Sequence, residues 1–125
     1  MRLPVGALPA VKSPVMKYNT GKAETYTVLY LNGDVDLSRS PDAREQILQC
    51  LDDGQHLLID LSAVYHIDSS GVASLVEGHQ TAQDKGLRFG LVGVSSAVFA
   101  VLQLARLDKI LTIHASVEER LNADG

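Results

Sequence analysis

The run Leu57-Leu58-Ile59-Asp60-Leu61, then Asp68-Ser69-Ser70-Gly71, then Val72, Leu75, Val76 and His79 at helical spacing, decides how this chain folds. The first five residues are short and almost continuously apolar, the pattern of a strand covered on both faces. The later positions form one stripe, which Ala82 extends until Gly86 stops the helix. The Asp-Ser-Ser-Gly tetrad therefore stands where a buried strand hands over to an amphipathic helix. A hydroxyl at that place is exposed, faces free backbone N–H groups and meets the positive end of the helix dipole. This singles out Ser69. The competing explanation is structural: Asp and Ser are favoured helix caps, and Asp68, Ser69 and Ser70 could serve only to satisfy orphan donors.

Working outward, residues 15–19 and 25–32 are β-prone, and Thr20-Gly21-Lys22 between them is a turn signal, which predicts an opening hairpin ended by Gly33. Tyr26, Val28 and Tyr30 share one face of its second strand, and Leu29 and Leu31 share the other. Ser40-Pro41-Asp42 combines a capping hydroxyl, a proline at the first helical position and an acid in the first turn. Ala43, Ile47, Leu48 and Leu51 are the buried stripe of that helix, and Gly54 closes it. After the Ser69 helix come a strand over 87–92 and a helix over 96–107 with Val98, Val101, Leu102 and Ala105 inward. A strand over 110–113 follows. Ser116-Val117-Glu118-Glu119 has the spacing of a capping box and begins a short final helix. Parallel strands need crossovers, so alternating helices and strands predict an α/β fold. The expected architecture is a mixed sheet of about five strands, an opening hairpin followed by parallel crossovers, packed against about four helices.

A chain of 125 residues with 46% hydrophobic content makes one domain with a single core. That domain is expected over residues 15–125. Residues 1–14, punctuated by Pro4, Pro9 and Pro14, have no apolar period and are expected to be a flexible, dispensable segment; Met16 is a second candidate start. They make a poor secretory signal, and no run is long enough to span a bilayer, so no membrane insertion is expected. The formal net charge is −4 and the cations are scattered, which argues against direct nucleic-acid binding. The single cysteine, Cys50, cannot form an internal disulfide and reads as a small core residue in a cytoplasmic protein.

Several chemistries find no motif. No Walker loop or dinucleotide fingerprint occurs, and Gly90 and Gly93 lack a third glycine. His56, His66, His79 and His114 fall on different elements at no metal-ligand spacing, so no metal and no cofactor are expected. Ser69 and Ser70 are not in a nucleophile elbow. A triad through a distant residue such as His66 is a story that any chain with four histidines permits, so no catalytic residue is assigned and the protein is not expected to be an enzyme.

Gly33-Asp34-Val35-Asp36, Leu58-Ile59-Asp60-Leu61-Ser62, Ile67-Asp68-Ser69-Ser70-Gly71 and the segment 98–107 together resemble the STAS domain of bacterial anti-sigma factor antagonists, over residues 15–121. The most specific part is the Asp-Ser-Ser-Gly signature after the Leu61, Val64, Ile67 approach. The resemblance implies a partner-switching, signalling phosphoprotein of transcription regulation. Such a protein binds a cytoplasmic anti-sigma factor that is also a serine kinase of the GHKL ATPase type, and so frees the sigma factor. Phosphorylation of Ser69 would end the binding, and a PP2C-type phosphatase would restore it. By the same match Asp34, Asp36, Asp68, Ser69, Ser70, Gly71 and Val72 are expected to meet the partner, and a homodimer is compatible with the family. Asp34 stands where antagonists commonly carry Glu, and Val72-Ala73 replaces their usual Leu-Gly. The alternative role is a non-catalytic STAS subunit of a phospholipid transporter or larger signalling assembly, and a hydrolase using Ser69 comes third.

Overall fold

The computed structural model describes residues 18–119. Five strands, β1 (Asn19–Ala23), β2 (Tyr26–Val35), β3 (His56–Ile67), β4 (Phe89–Val92) and β5 (Ile113–His114), form one sheet in sequential order. The β1–β2 pair is antiparallel and the others are parallel. Helices α1 (Ser40–Asp52), α2 (Ser69–Lys85) and α3 (Ser96–Leu104) make the three crossovers. Residues 117–119 are helical, and the Ser116 hydroxyl accepts the Glu119 N–H at 3.1 Å, as the capping spacing predicts. The expected α/β fold is the observed one. The predicted flexible segment 1–14 lies outside the described residues.

Sequential strand order with right-handed crossovers puts every connecting helix on the same side of the sheet. The main core has that composition: Leu29, Leu31, Leu57, Ile59 and Leu61 from the strands meet Ile47 and Leu51 of α1, Leu75 of α2 and Leu102 of α3. Tyr26, Val28, Leu58 and Val92 form a second cluster on the opposite face, against which Ala23 and Val117 pack. Leu57, Leu58, Ile59 and Leu61 are 0% exposed. Burial on both faces is why the run shows no alternation.

The structure corrects several boundaries. The hairpin turns at Glu24 and Thr25, with Ala23 paired to Tyr26, whereas Thr20-Gly21-Lys22 lies inside β1. Gly21 is a strand residue paired with Val28, and the Tyr30 ring lies 3.4 Å from where its Cβ would stand. Gly33 does not end β2, which continues to Val35. Ser40 does not cap α1: it is buried inside the helix, and the first turn is tied instead by the Asp36 carbonyl, which accepts the Arg39 and Ser40 N–H groups at 3.0 and 2.7 Å. α3 stops at Leu104 and leaves Ala105 exposed, and β5 begins only at Ile113.

The largest departure is β3, which runs six residues past Leu61. Register slips against β2 between Tyr30 and Asn32, and again between Gly33 and Asp34. Each slip inserts one extra residue in β3, a bulge. Inward side chains consequently arrive every third residue, at Leu61, Val64 and Ile67, where a regular strand would place them every second. That spacing hid the strand from a search for alternation. It also turns Tyr65 outward, at 79% exposure, and delivers Asp68 to the end of the sheet.

Candidate functional site

The site is built where β3 ends. Asp68, not a serine, caps α2: its Oδ1 accepts the Ser70 and Gly71 N–H groups at 2.9 and 3.2 Å. Its other oxygen, Oδ2, accepts the Leu37 N–H at 3.1 Å. One carboxylate thereby holds three backbone donors and ties the β2–α1 loop to the start of α2.

Gly71 makes the close approach feasible. A Cβ there would run into the Val35 carbonyl oxygen and lie 2.6 Å from the Ile67 side chain. The glycine of the signature thus seats α2 against the end of β2, and Gly71 bears on the surface only through that position. Val72 is 8% exposed and packs inward.

Ser69 and Ser70 face different surroundings. Ser70 is half-buried and lines the cleft between α1 and α2 with Arg44, Ser74 and Glu77. Ser69 is exposed and lines the opposite groove, between α2 and α3. That groove, about 890 Å³, is lined by Val72, Ala73, Val76, Val101 and Leu104 together with Glu77 and Gln80. The Ser69 side chain makes no hydrogen bond to another described residue. Neither His66 nor any other described histidine bonds it.

The remaining expected contacts scatter around this centre. Asp34 is exposed beside His66 on β3. Asp36 is engaged locally: its Oδ1 accepts the Ser38 hydroxyl and N–H at 2.7 and 3.0 Å. The Ser38 hydroxyl, followed by backbone donors, holds the Asp36 carboxyl below the usual carboxylate range. Asp60 builds the same turn with Ser62, at 2.6 and 2.9 Å. Gly93 lets Ser62 approach, since a Cβ on it would lie 3.0 Å from the Ser62 Cβ.

Across α2, Arg44 and Glu77 form a two-pronged ion pair at 2.6 and 2.7 Å, which lowers the Glu77 carboxyl and raises the Arg44 guanidinium. Cys50 is half-buried in α1, and burial pushes its thiol up, away from the reactive thiolate. Among the described residues no group of three or more His, Cys, Asp or Glu side chains gathers in a way that would hold a metal ion. No described helix is long and apolar enough to cross a membrane.

Sequence reasoning missed Leu37 and the outer face of α3. Leu37 is 73% and Leu104 87% exposed. A signal for the second was available: residues 97–101 read Ala-Val-Phe-Ala-Val, apolar beyond any single inward stripe.

The model of the STAS domain family matches residues 17–120. The chain belongs to that family. Solved structures of the same fold include a Thermotoga maritima protein described as an anti-sigma factor antagonist, with 21% identity, a TM-score of 0.80, and 87% of this chain and 95% of that one covered. An anti-sigma factor antagonist from Mycobacterium paratuberculosis matches at 24% identity and TM-score 0.78, covering 86% and 92%. The antagonist SpoIIAA, in its unphosphorylated form, matches at 17% identity and TM-score 0.65, covering 86% and 96%.

Proposed function

We propose that this STAS protein is an anti-sigma factor antagonist gated at Ser69. It binds a cytoplasmic anti-sigma factor that is also a serine kinase of the GHKL ATPase type, and so releases the sigma factor. Phosphorylation of Ser69 ends the binding, and a PP2C-type phosphatase restores it. The observation that carries this reading is the idle Ser69 hydroxyl: Asp68 does the capping, so Ser69 is exposed at the helix start without a structural task. The names of the similar solved structures support the role, and so does a SpoIIAA structure described as unphosphorylated.

A phosphate would add about −1.5 to −2 charges at pH 7 beside the Asp68 carboxylate. The α2 N-terminus offsets part of that repulsion, typically ~0.3–1 kcal/mol, so the modified domain stays folded. Against a docked partner the same charge would be stripped of water and left unpaired, at a cost of several kcal/mol. Binding is lost while the fold survives. In this reading the protein acts by binding and not by catalysis.

The test uses the anti-sigma kinase encoded in the same genome. Wild type should gain the mass of one phosphate with ATP, and Ser69→Ala should gain none yet bind as wild type. Ser69→Asp should fold and bind at least ~10-fold more weakly, about 1.4 kcal/mol. Ser70→Ala should change little. Equal affinity of Ser69→Asp and wild type would remove the charge gate and favour a constitutive subunit of a larger assembly.

A further inference from the structure

Helices α1, α2 and α3 each end in the same hydrogen-bonded motif, in which a residue one or two positions past the helix adopts a left-handed conformation. After α1 the Gly54 and Gln55 N–H groups donate to the Leu51 and Cys50 carbonyls; after α2 those of Gly86 and Leu87 donate to Gln83 and Ala82. After α3 the Arg106 and Leu107 N–H groups donate to Gln103 and Leu102, at 2.9 and 2.8 Å. The left-handed residues are Gly54 (φ +79°), Gly86 (φ +70°) and Arg106 (φ +62°). Two of the three positions hold the residue the conformation favours, and the third holds a bulky one that the conformation strains. A cation past a helix C-terminus gains from the dipole, yet a lysine or arginine inside the last turn would gain it without the strain.

Arg106 and Lys109 are also the Lys and Arg residues, among those described, whose side chains make no hydrogen bond, ion pair or ring contact. Lys22 bonds Thr27, Arg39 stacks on Tyr18, Arg44 pairs with Glu77, Lys85 pairs with Asp52, and Arg88 is engaged as well. Asp108 lines the same small hollow as Arg106 and Lys109 without pairing to either. Beside them Leu104 is 87% and Ile110 57% exposed, and Leu104 belongs to the wall of the α2/α3 groove that holds Ser69 at its other end.

We propose that the α2/α3 groove receives an amphipathic segment of the partner protein whose carboxylates meet Arg106 and Lys109. The occupant's polarity follows from charge: apolar side chains over Val76, Val101 and Leu104, acids at the α3 end, and no acid at the Ser69 end, where Asp68 already stands. Arg106 then supplies affinity and orientation at the far end of the surface that Ser69 gates. This inference rests on the gated-binding reading and names the partner's chemistry.

Arg106→Gly separates the two demands on this position, because it relieves the strain and removes the charge. Its melting temperature should be unchanged or raised by a few degrees. Its affinity for the same anti-sigma kinase should fall about tenfold with a shallower salt dependence, since a charge contact is lost. Arg106→Lys should recover most of the affinity, and Arg106→Glu should bind more weakly than Arg106→Gly. If Ser69→Asp abolishes binding while Arg106→Gly and Arg106→Glu bind as wild type, the inference is overturned and the gate stands. If wild type fails to bind the kinase, both fall. Arg106-dependent binding to phosphatidylglycerol vesicles, with kinase affinity indifferent to residue 106, would overturn it in favour of a lipid surface.

Discussion

The two sides of α2 are built on opposite principles. Toward α1 the helix presents Ser74 and Gly78: Ser74 bonds the Ser40 carbonyl at 3.4 Å, and a Cβ on Gly78 would come within 2.7 Å of Ile47 and 3.0 Å of Phe89. The Arg44–Glu77 pair spans the outside of that contact. Toward α3 the helix presents Val72, Ala73 and Val76 to an open groove, and no ion pair crosses it among the described residues. Small residues and a polar seam close a helix pair. Apolar residues left open to water are the kind of patch to which the proposed partner segment would dock. The idle Ser69 hydroxyl lies on the open side.

The contrast breaks most visibly at Gly78. Gly78→Ala should destabilise the domain by about 1–3 kcal/mol through overpacking against Ile47 and Phe89. Its counterpart on the open side, Leu104→Ser, should stay within about 0.5 kcal/mol of wild type. Urea unfolding of both measures the difference, and equal losses would mean that the groove is as closed as the α1 contact. A smaller effect is expected at Asp68. Asp68→Ala removes a helix cap worth about 0.5–2 kcal/mol and releases the Leu37 N–H, so amide exchange at Leu37, Ser70 and Gly71 should quicken together. Acceleration confined to α2 would show that the carboxylate does not join the two loops.

The smallest effect concerns Glu77. Arg44 makes its carboxyl more acidic in the fold than in the unfolded chain, where the ordinary value is near 4.5. The pair therefore adds stability above that value and loses it as pH falls through the lower, folded one. Both side chains are substantially exposed, so water screens the pair and Glu77→Gln should flatten only slightly the acid side of the melting-temperature profile. A pronounced flattening would make the seam, rather than the small residues, the main tie between α1 and α2.

Local sequence determined much of this protein. Leu57 to Leu61 announced a doubly covered strand because parallel strands bury both faces, and Gly86 and Gly54 announced helix ends because their left-handed conformations suit glycine. Asp68-Ser69-Ser70-Gly71 marked out the candidate site through its position at a strand-to-helix junction. Each of these depends on residues within one or two turns of each other. Tertiary structure decided the rest. Two bulges stretched β3 to Ile67, and they exist only against the register of β2. The Asp68 carboxylate took the capping task, while the α2/α3 packing left Ser69 beside an apolar groove. Arg106 stands in a glycine's place, at φ +62°, although nothing in its neighbours' identities says so. Pairing register and the neighbours across a groove are long-range properties, and periodicity along the chain carries no record of them.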